Sequence, residues 1–295
     1  MGLIAALLWG LHDLLIRLLT QRLGILISLT WVLFFGLAFL LIVSIINPLG
    51  LSTPSNLAKI LLKLDWTICF SGIFFALACL ALFQAFKIGP IVIVAPIIGI
   101  YPIISLILAH FSGNLIKPII WPMVFFVVIG IGLIGVSTES QISDKKLKYN
   151  QVNNFFSSRF IAISCSLIAA MCCSFTFHLG QTSAASNNLI DVTLASRLIT
   201  LLIIFAICIV SVSFVLPNLK ELIALSCMGL LDVCALLLVF GAGSLNSAAL
   251  APVASANFGI FTLIFAYLIL GETLSIRQVL GILCVFSCLT LILLV

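Results

Sequence analysis

Apolar runs long enough to cross a lipid bilayer recur along this sequence from one end to the other. Residues 25–46, for example, contain no charged side chain, and a helix of about 20 apolar residues spans the hydrocarbon core. Backbone amides in hydrocarbon find partners only inside a helix or a closed barrel, and these runs lack the alternating polarity of barrel strands. The sequence therefore predicts an all-α integral membrane protein.

The composition excludes a water-soluble fold. Of the 295 residues, 64% are hydrophobic and only 7% are charged, and the mean hydropathy is +1.42. A soluble domain would need polar side chains over its surface. The net charge of +5 gives no reason to expect a nucleic-acid partner, so the expected surroundings are the lipid bilayer.

Polar, proline and charged clusters divide the chain into ten predicted spans. These are residues 2–20, 23–46, 66–86, 91–111, 118–138, 159–180, 189–215, 219–241, 246–270 and 275–295. Residues 139–158 are expected to form a hydrophilic linker between a first unit, residues 1–138, and a second unit, residues 159–295. Met1 runs into an apolar stretch without a basic segment, so the first run is expected to be a span and not a cleaved signal peptide.

Three matches in the same order indicate that the two units are duplicates. The matches are “LIAA” at residues 3–6 and 167–170, Ala95-Pro96 with Ala251-Pro252, and Gly113 with Gly271 after a short insertion. Five spans per unit place the second unit in the membrane the opposite way up. Two inverted five-helix repeats are typical of carriers that work by alternating access.

The two aligned prolines, Pro96 and Pro252, lie inside apolar runs where a proline should damage a helix. Each removes a backbone hydrogen bond, and the freed carbonyls are tolerated only against protein or a water-filled cavity. A single proline kink in a membrane helix needs no functional explanation. Corresponding positions in both units favour two helix breaks that line a cavity.

Three segments resemble those of a known family. “LLWGLHDLLIRL”, residues 7–18, resembles the Trp-Gly signature of the first helix of the EamA family, in the drug/metabolite transporter superfamily. Residues 81–109 resemble the third and fourth helices of its repeat, and residues 269–293 resemble its closing Gly-Glu hairpin and last helix. The resemblance implies ten helices in two EamA repeats and a carrier of small metabolites, commonly an exporter.

The sequence departs from this family pattern in two places. Asn114 stands where the first hairpin of the family has Glu, and Cys173-Ser174 replaces Trp-Gly in the sixth span. The units have therefore diverged, and functional residues cannot be carried from one to the other. Glu272, in the closing hairpin, is expected to be a loop or cap residue.

Ionisable groups inside the spans are costly and usually face the bundle interior, which makes them site candidates. Asp13 and Arg17 share one helical face, so they either neutralise each other near an interface or line the mouth of a cavity. His12 points about 100° away from Asp13. Arg197 needs a carboxylate, carbonyls or an anionic solute group as a partner, and Asp232 is either that partner or a proton acceptor.

Polar side chains without charge complete the candidates. His178 and Gln181, with Phe175, form a helical face that could hold a polar organic solute, although a buried histidine is more often structural. Gln84 is a further candidate. Tyr101 and Asn257 each lie five residues past an aligned proline, which favours equivalent places in a cavity.

Phenylalanine and cysteine are abundant but are not expected to act chemically. The 23 phenylalanines should face lipid or pack between helices, without forming an aromatic substrate box. The ten cysteines have neither a CxxC pair nor a nearby histidine at metal spacing and are expected to be small core residues. No metal or cofactor is expected.

The predicted function is a secondary transporter, and so not an enzyme, that exports a small amphipathic or zwitterionic metabolite such as an amino acid or an amine. Only Arg17 and Arg197 bring lasting positive charge near the spans, which argues against strongly anionic solutes such as nucleotide sugars. The sequence lacks a GxxxxGKS-type phosphate loop, so a gradient should supply the energy. The alternatives are a polytopic membrane enzyme, although no cluster of acids, histidines or metal ligands is apparent, and a non-transporting membrane regulator.

The sequence leaves the orientation open. Lys and Arg residues favour a cytoplasmic linker with both termini outside, whereas the family resemblance favours cytoplasmic termini. The chain is predicted to be a multi-pass integral membrane protein, located in the inner membrane of the cell if the source is bacterial. The sequence does not decide whether the chain forms a homodimer.

Overall fold

The computed structural model describes residues 1–46, 65–111, 117–123, 125–127, 129–130, 149–211, 216–244, 250–271 and 275–294. Within these ranges every regular element is a helix. The first unit contains α1 (Gly2–Leu23), α2 (Ile25–Ile46), α3 (Trp66–Ile88), α4 (Ile91–Ile98) and α5 (Tyr101–Phe111). The second contains α6 (Tyr149–Ser186), α7 (Leu189–Ser211), α8 (Leu219–Gly241), α9 (Leu250–Ser255), α10 (Phe258–Phe265) and α11 (Ile276–Leu294).

Seven helical stretches in the described ranges are long and apolar enough to cross a membrane. They coincide with predicted spans one to three and six to nine. Span four appears as α4 followed by α5, span ten holds the shorter apolar helix Val279–Ile292, and much of span five lies outside the described residues. The helical membrane bundle is confirmed, and the number ten stays a prediction.

The predicted linker and the hairpin residues Asn114 and Glu272 fall largely beyond these ranges. Residues 139–148, Asn114 and Glu272 lie outside the described residues. The helix α6 begins at Tyr149, inside the predicted linker, and continues without interruption to Ser186. Its apolar part, Ser158–Ser186, is the stretch that can cross the membrane.

A break follows the aligned proline in each unit. Two residues, Gly99 and Ile100, separate α4 from α5, and Ala256 and Asn257 separate α9 from α10. Both turns are closed by a tight backbone bond, 2.9 Å from Ile103 N to Ile100 O and 3.0 Å from Ile260 N to Asn257 O. Pro96 lies within α4, where the missing backbone donor weakens the helix just before it ends. Pro252 lies in the first turn of the short helix α9.

The two units pack against each other over much of their length. The helix α3 lies along α6, where Ser71 Oγ donates to Thr176 O at 3.1 Å. The helix α2 crosses α8 closely enough that a Cβ on Gly229 would lie 2.5 Å from the carbonyl oxygen of Val32. The core of the bundle therefore lies between the units, with α1 packed against both α8 and α10.

An ion pair fixes two helix ends beside each other. Arg22 Nε, at the end of α1, lies 3.0 Å from Glu221 Oε1, at the start of α8. Glu221 also completes a capping box with Asn218, whose side chain accepts from the Glu221 amide. The carboxyl end of α1 and the amino end of α8 therefore lie on the same face of the bundle.

Candidate functional site

A cavity lies at the centre of the bundle, between the two units. Side chains from α1, α2, α3, α5, α6, α8 and α10 surround it, together with Ile98 at the end of α4. Its wall consists of Trp9, His12, Asp13, Leu29, Val32, Leu33, Phe75, Ala78, Cys79, Leu82, Phe83, Ile98, Tyr101, Cys173, Phe177, Asp232 and Phe258. Centres of water-sized molecules could occupy about 50 Å³ of it, which is room for a few water molecules.

Asp232 is the best-satisfied ionisable group of this wall. Arg197 Nη2 donates to Asp232 Oδ2 at 2.5 Å, and the indole Nε1 of Trp9 donates to Asp232 Oδ1 at 3.1 Å. The guanidinium carbon of Arg197 also lies 4.2 Å from the ring centre of Phe75. This cluster joins α1 and α3 of the first unit to α7 and α8 of the second through a charge pair and a cation–π contact.

Arg197 is 1% exposed, so its charge depends on these few partners. Among the described residues no acceptor lies within hydrogen-bond distance of its Nε or Nη1. Of the alternatives that the sequence left open for Arg197 and Asp232, the structure shows the pairing of the two residues with each other. Asp191 lies elsewhere on α7, six residues before Arg197.

Asp13 is the second carboxylate of the wall and has weaker partners. His12 Nδ1 lies 3.4 Å from Asp13 Oδ1, and the hydroxyl of Thr262 lies 3.4 Å from Asp13 Oδ2. The same hydroxyl has a shorter bond, 3.0 Å, to Phe258 O. Both contacts of Asp13 are long for hydrogen bonds, although the residue is only 3% exposed.

Of the two alternatives for Asp13 and Arg17, mutual neutralisation is not what the structure shows. Within the described residues the two side chains form no ion pair, because Arg17 Nη1 is used at the end of α3. It donates to Phe86 O at 2.6 Å and to Lys87 O and Gly89 O at 3.1 Å each. These carbonyls lie at the carboxyl end of α3, where carbonyl oxygens have no backbone N–H partner within the helix and where the helix dipole is negative.

The two helix breaks contact each other through Tyr101. Its hydroxyl lies 2.9 Å from Pro252 O and 2.5 Å from Ser255 Oγ. The tyrosine ring packs between Phe177, at 5.3 Å, and Phe258, at 6.3 Å, measured between ring centres. Tyr101 therefore connects the break of the first unit to the proline of the second, on the wall of the cavity.

Pro252 contributes its backbone carbonyl and not its ring to this site. Pro252 is buried, but the cavity wall does not include its ring; its carbonyl accepts from Tyr101, Ser255 and the Ala256 amide. The side chain of Pro96 lies outside the described residues. The interpretation of Pro252 as a lining residue is therefore replaced by a backbone contact behind the wall.

Four predicted residues lie away from the cavity. Gln181 Nε2 donates to Val239 O at 2.9 Å, and Asn257 Nδ2 donates to Ala254 O at 3.1 Å within its own break. His178 is half-buried on another face of α6, and Gln84 lines a surface groove with the α1–α2 turn. The amide groups bond to backbone carbonyls, so polar side chains in spans are not in themselves pathway markers.

The face of α6 that meets the cavity is not the predicted one. Cys173 and Phe177 line the wall, whereas Phe175 stacks on Phe74 with ring centres 4.9 Å apart. Trp9 stacks on Phe177 at 5.4 Å. Four phenylalanines, Phe75, Phe83, Phe177 and Phe258, therefore line the cavity, a position that the sequence did not predict for them.

The family assignment agrees with this architecture. The sequence model of the EamA-like transporter family matches residues 1–136 and 160–294. The chain belongs to the EamA-like transporter family. It is therefore a multi-pass integral membrane protein of the drug/metabolite transporter superfamily, and the two matched segments fall on either side of the predicted linker.

Solved structures share the fold of this EamA-like transporter. One, named only “Crystal structure of protein”, superposes with a TM-score of 0.68 at 16% sequence identity and covers 99% of this chain and 95% of its own. At that identity the likeness extends to the fold alone. The comparison with curated proteins gives no match.

One sequence signal could have located the cavity more fully. Trp9 lies three and four residues before His12 and Asp13, so it shares their side of the first helix.

All ten cysteines of this EamA-like transporter are free thiols. Cys79 and Cys173 are core residues, as expected, but they also line the cavity.

Proposed function

We propose that this chain is a secondary transporter that exports a small amphipathic or zwitterionic metabolite, such as an amino acid or an amine. The observation that carries the proposal is the central cavity, where each unit supplies part of the wall and Tyr101 of one break bonds to Pro252 of the other. A solute site between two repeats, next to helix breaks, is the arrangement that alternating access requires.

The proposed mechanism is alternating access between two inverted five-span repeats. The position of the two breaks supports it, because each follows the aligned proline of its own unit. The pair of Arg22 with Glu221 supports it as well. In a ten-span chain the end of span one and the start of span eight share one side of the membrane, and these are the ends that the ion pair connects.

The chemistry of the wall supports the proposed class of solute. Aromatic rings from Trp9, Phe75, Phe83, Phe177 and Phe258 provide apolar surface, which suits a small organic molecule. The wall contains the carboxylates of Asp13 and Asp232, and the guanidinium of Arg197, which does not line the wall, already bonds to Asp232. A nucleotide sugar would need several free cations to offset its loss of hydration.

Transport in proteoliposomes tests the proposal. Purified protein should carry amino acids or amines from a panel and should not exchange nucleotide sugars. The reverse selectivity, or no flux of any solute, would refute the proposed function. Because a secondary transporter draws its energy from a gradient, flux should respond to an imposed gradient of the solute or of its coupling ion.

The native cysteines connect that flux to the cavity. Because Cys79 and Cys173 line the wall, a membrane-impermeant thiol reagent should block transport, and the double variant Cys79→Ala/Cys173→Ala should resist it. Cys208 and Cys227 lie away from the wall, so Cys208→Ala/Cys227→Ala is the matched control and should stay sensitive. Equal inhibition of both double variants would place the solute pathway elsewhere.

A further inference from the structure

We propose that Asp13 is a cation site at which a proton and the ammonium group of the transported solute exclude each other. The inference rests on the proposed transport function and names the charge of the solute and its coupling ion. One proton leaves the Asp13 carboxyl group when one ammonium group binds, and another proton returns when the ammonium group leaves. Export of one amine against entry of one proton is then electrically neutral.

The two wall carboxylates differ in what neutralises them. Asp232 accepts from Arg197 at 2.5 Å and from Trp9 at 3.1 Å, so it already has a permanent cation. Asp13 has two contacts of 3.4 Å, and the Thr262 hydroxyl bonds more closely to Phe258 O. A carboxylate this buried needs a proton or a cation, because its present donors are too distant to stabilise the anion.

The nearest fixed cation on α1 does not serve Asp13. Arg17 is bound to three carbonyls at the end of α3. Two ion pairs involve the carboxylates of the cavity wall, His12 with Asp13 and Arg197 with Asp232. The site at Asp13 therefore has one negative charge more than its fixed positive charges when His12 is neutral.

The surroundings of Asp13 suit an organic ammonium group. Trp9, Phe83, Tyr101 and Phe258 line the same cavity, and the faces of aromatic rings attract cations. Once the cavity widens beyond its present room for a few water molecules, a bound amine could place its charge on Asp13 and its apolar part against these rings. The rings would contact a bound amine but have no role in binding a proton. They would therefore favour an organic ammonium group over other cations at Asp13.

Several titratable groups face this part of the cavity and belong to any description of its pH dependence. They are His12 on α1, Cys79 on α3, Tyr101 on α5, Cys173 on α6 and Asp232 on α8, the last of which is paired with Arg197 on α7. The contact from α10 comes from Thr262, which has no charge. Asp13 is the carboxylate in this set without a cationic partner at close range.

Occupancy of Asp13 can affect the conformation through α10. Thr262 lies in the part of its span that follows the break at Ala256 and Asn257. A Cβ on Gly10 would lie 2.5 Å from Phe261 Cβ, so α1 and α10 are in close contact beside Asp13. A cation that replaces the contact between Thr262 and Asp13 would change the packing of α10 against α1.

Proton release during amine binding tests the inference. With 2-phenylethylamine as the probe, the purified protein in weakly buffered detergent solution should release about one proton per bound amine, at a pH where Asp13 is protonated. Neutral 2-phenylethanol should release none. Asp13→Asn should abolish the release and weaken amine binding about tenfold, whereas Asp13→Glu should retain both.

A matched control and three results decide the outcome. Asp65→Asn makes the same change at the N-cap of α3, where Asn is an equally good cap, and should leave proton release unchanged. Amine binding without proton release, binding that depends on Na⁺, or release that persists in Asp13→Asn would overturn the inference. Failure of both 2-phenylethylamine and L-phenylalanine to bind would overturn it as well.

The proposed function and the present inference fail in different ways. If the wild-type protein carries a solute whose flux ignores the pH gradient and survives Asp13→Asn, the protein is a transporter and only the role of Asp13 is wrong. If no solute crosses the proteoliposome membrane while the amine still displaces a proton, the binding site stands and the transport function falls. Thermal unfolding of Asp13→Asn checks that its fold is intact.

Discussion

The hydroxyl group of Tyr101 allows a direct test of the contact between the two broken helices. Tyr101→Phe removes one oxygen and leaves the ring between Phe177 and Phe258. The partners keep other bonds, because Ser255 Oγ still donates to Pro252 O at 3.0 Å and the Ala256 amide does so at 3.1 Å. The change therefore weakens the junction without leaving a buried polar group unsatisfied.

The expected magnitude follows from one lost hydrogen bond. A typical intramolecular bond contributes about 0.5–1.5 kcal/mol, which shifts an equilibrium by about two- to tenfold. If the junction holds the cavity closed, the open fraction should rise by that factor. The labelling rate of Cys79 and Cys173 by an aqueous maleimide should rise with it, because exchange between the conformations precedes reaction.

Mass spectrometry of the labelled protein measures this rate for each cysteine separately. Tyr267→Phe is the matched control, since Tyr267 is 60% exposed and lies away from the cavity. An unchanged or slower rate in Tyr101→Phe, at an unaltered melting temperature, would refute the interpretation of the junction as a closing contact. Equal acceleration in both variants would refute it too.

Two further predictions concern the packing between the units. Arg197→Met should lower the free energy of unfolding by about 3–5 kcal/mol, because it leaves Asp232 buried without its cation. In thermal unfolding, the double variant Arg197→Met/Asp232→Asn should recover much of this loss. A double variant no more stable than Arg197→Met would contradict the prediction. Gly229→Ala should cost about 1–3 kcal/mol because its Cβ would meet the Val32 carbonyl. Gly241→Ala, whose Cβ would approach only the end of the Leu189 side chain, should change the melting temperature much less, and equal effects would contradict the prediction.

Hydropathy alone predicted much of the fold because a bilayer leaves the backbone little choice. The first predicted span, residues 2–20, corresponds to Gly2–Leu23, and the third, residues 66–86, to Trp66–Ile88. Membrane helices hold their hydrogen bonds internally, so their extent follows from the length of apolar sequence. The position of the breaks depended on a different signal, the proline in the middle of an apolar run.

The cavity was harder to predict because helix rotation leaves little trace in such sequences. An amphipathic helix shows its inner face by its polar residues, but α6 has polar residues, Ser174, Thr176 and His178, on several sides around Cys173 and Phe177, so no single face is marked. Polar residues in the sequence predicted the pathway instead, but one of them, Gln181, bonds to the backbone carbonyl of Val239 away from the wall. Asp13 and Asp232 were found because a buried charge has few places to lie.

In the part of the chain that the structure describes, the bond of Tyr101 to Pro252 has no counterpart at the corresponding position of the second unit. Asn257, which also lies five residues past its proline, donates to Ala254 of its own unit. In a carrier built from inverted repeats, these two positions would exchange roles between the outward- and inward-facing forms. Because Tyr101 and Asn257 bond differently, such a carrier would prefer one of its two conformations in the absence of solute. The same solute would then show different apparent affinities at the two membrane faces, even with identical binding contacts.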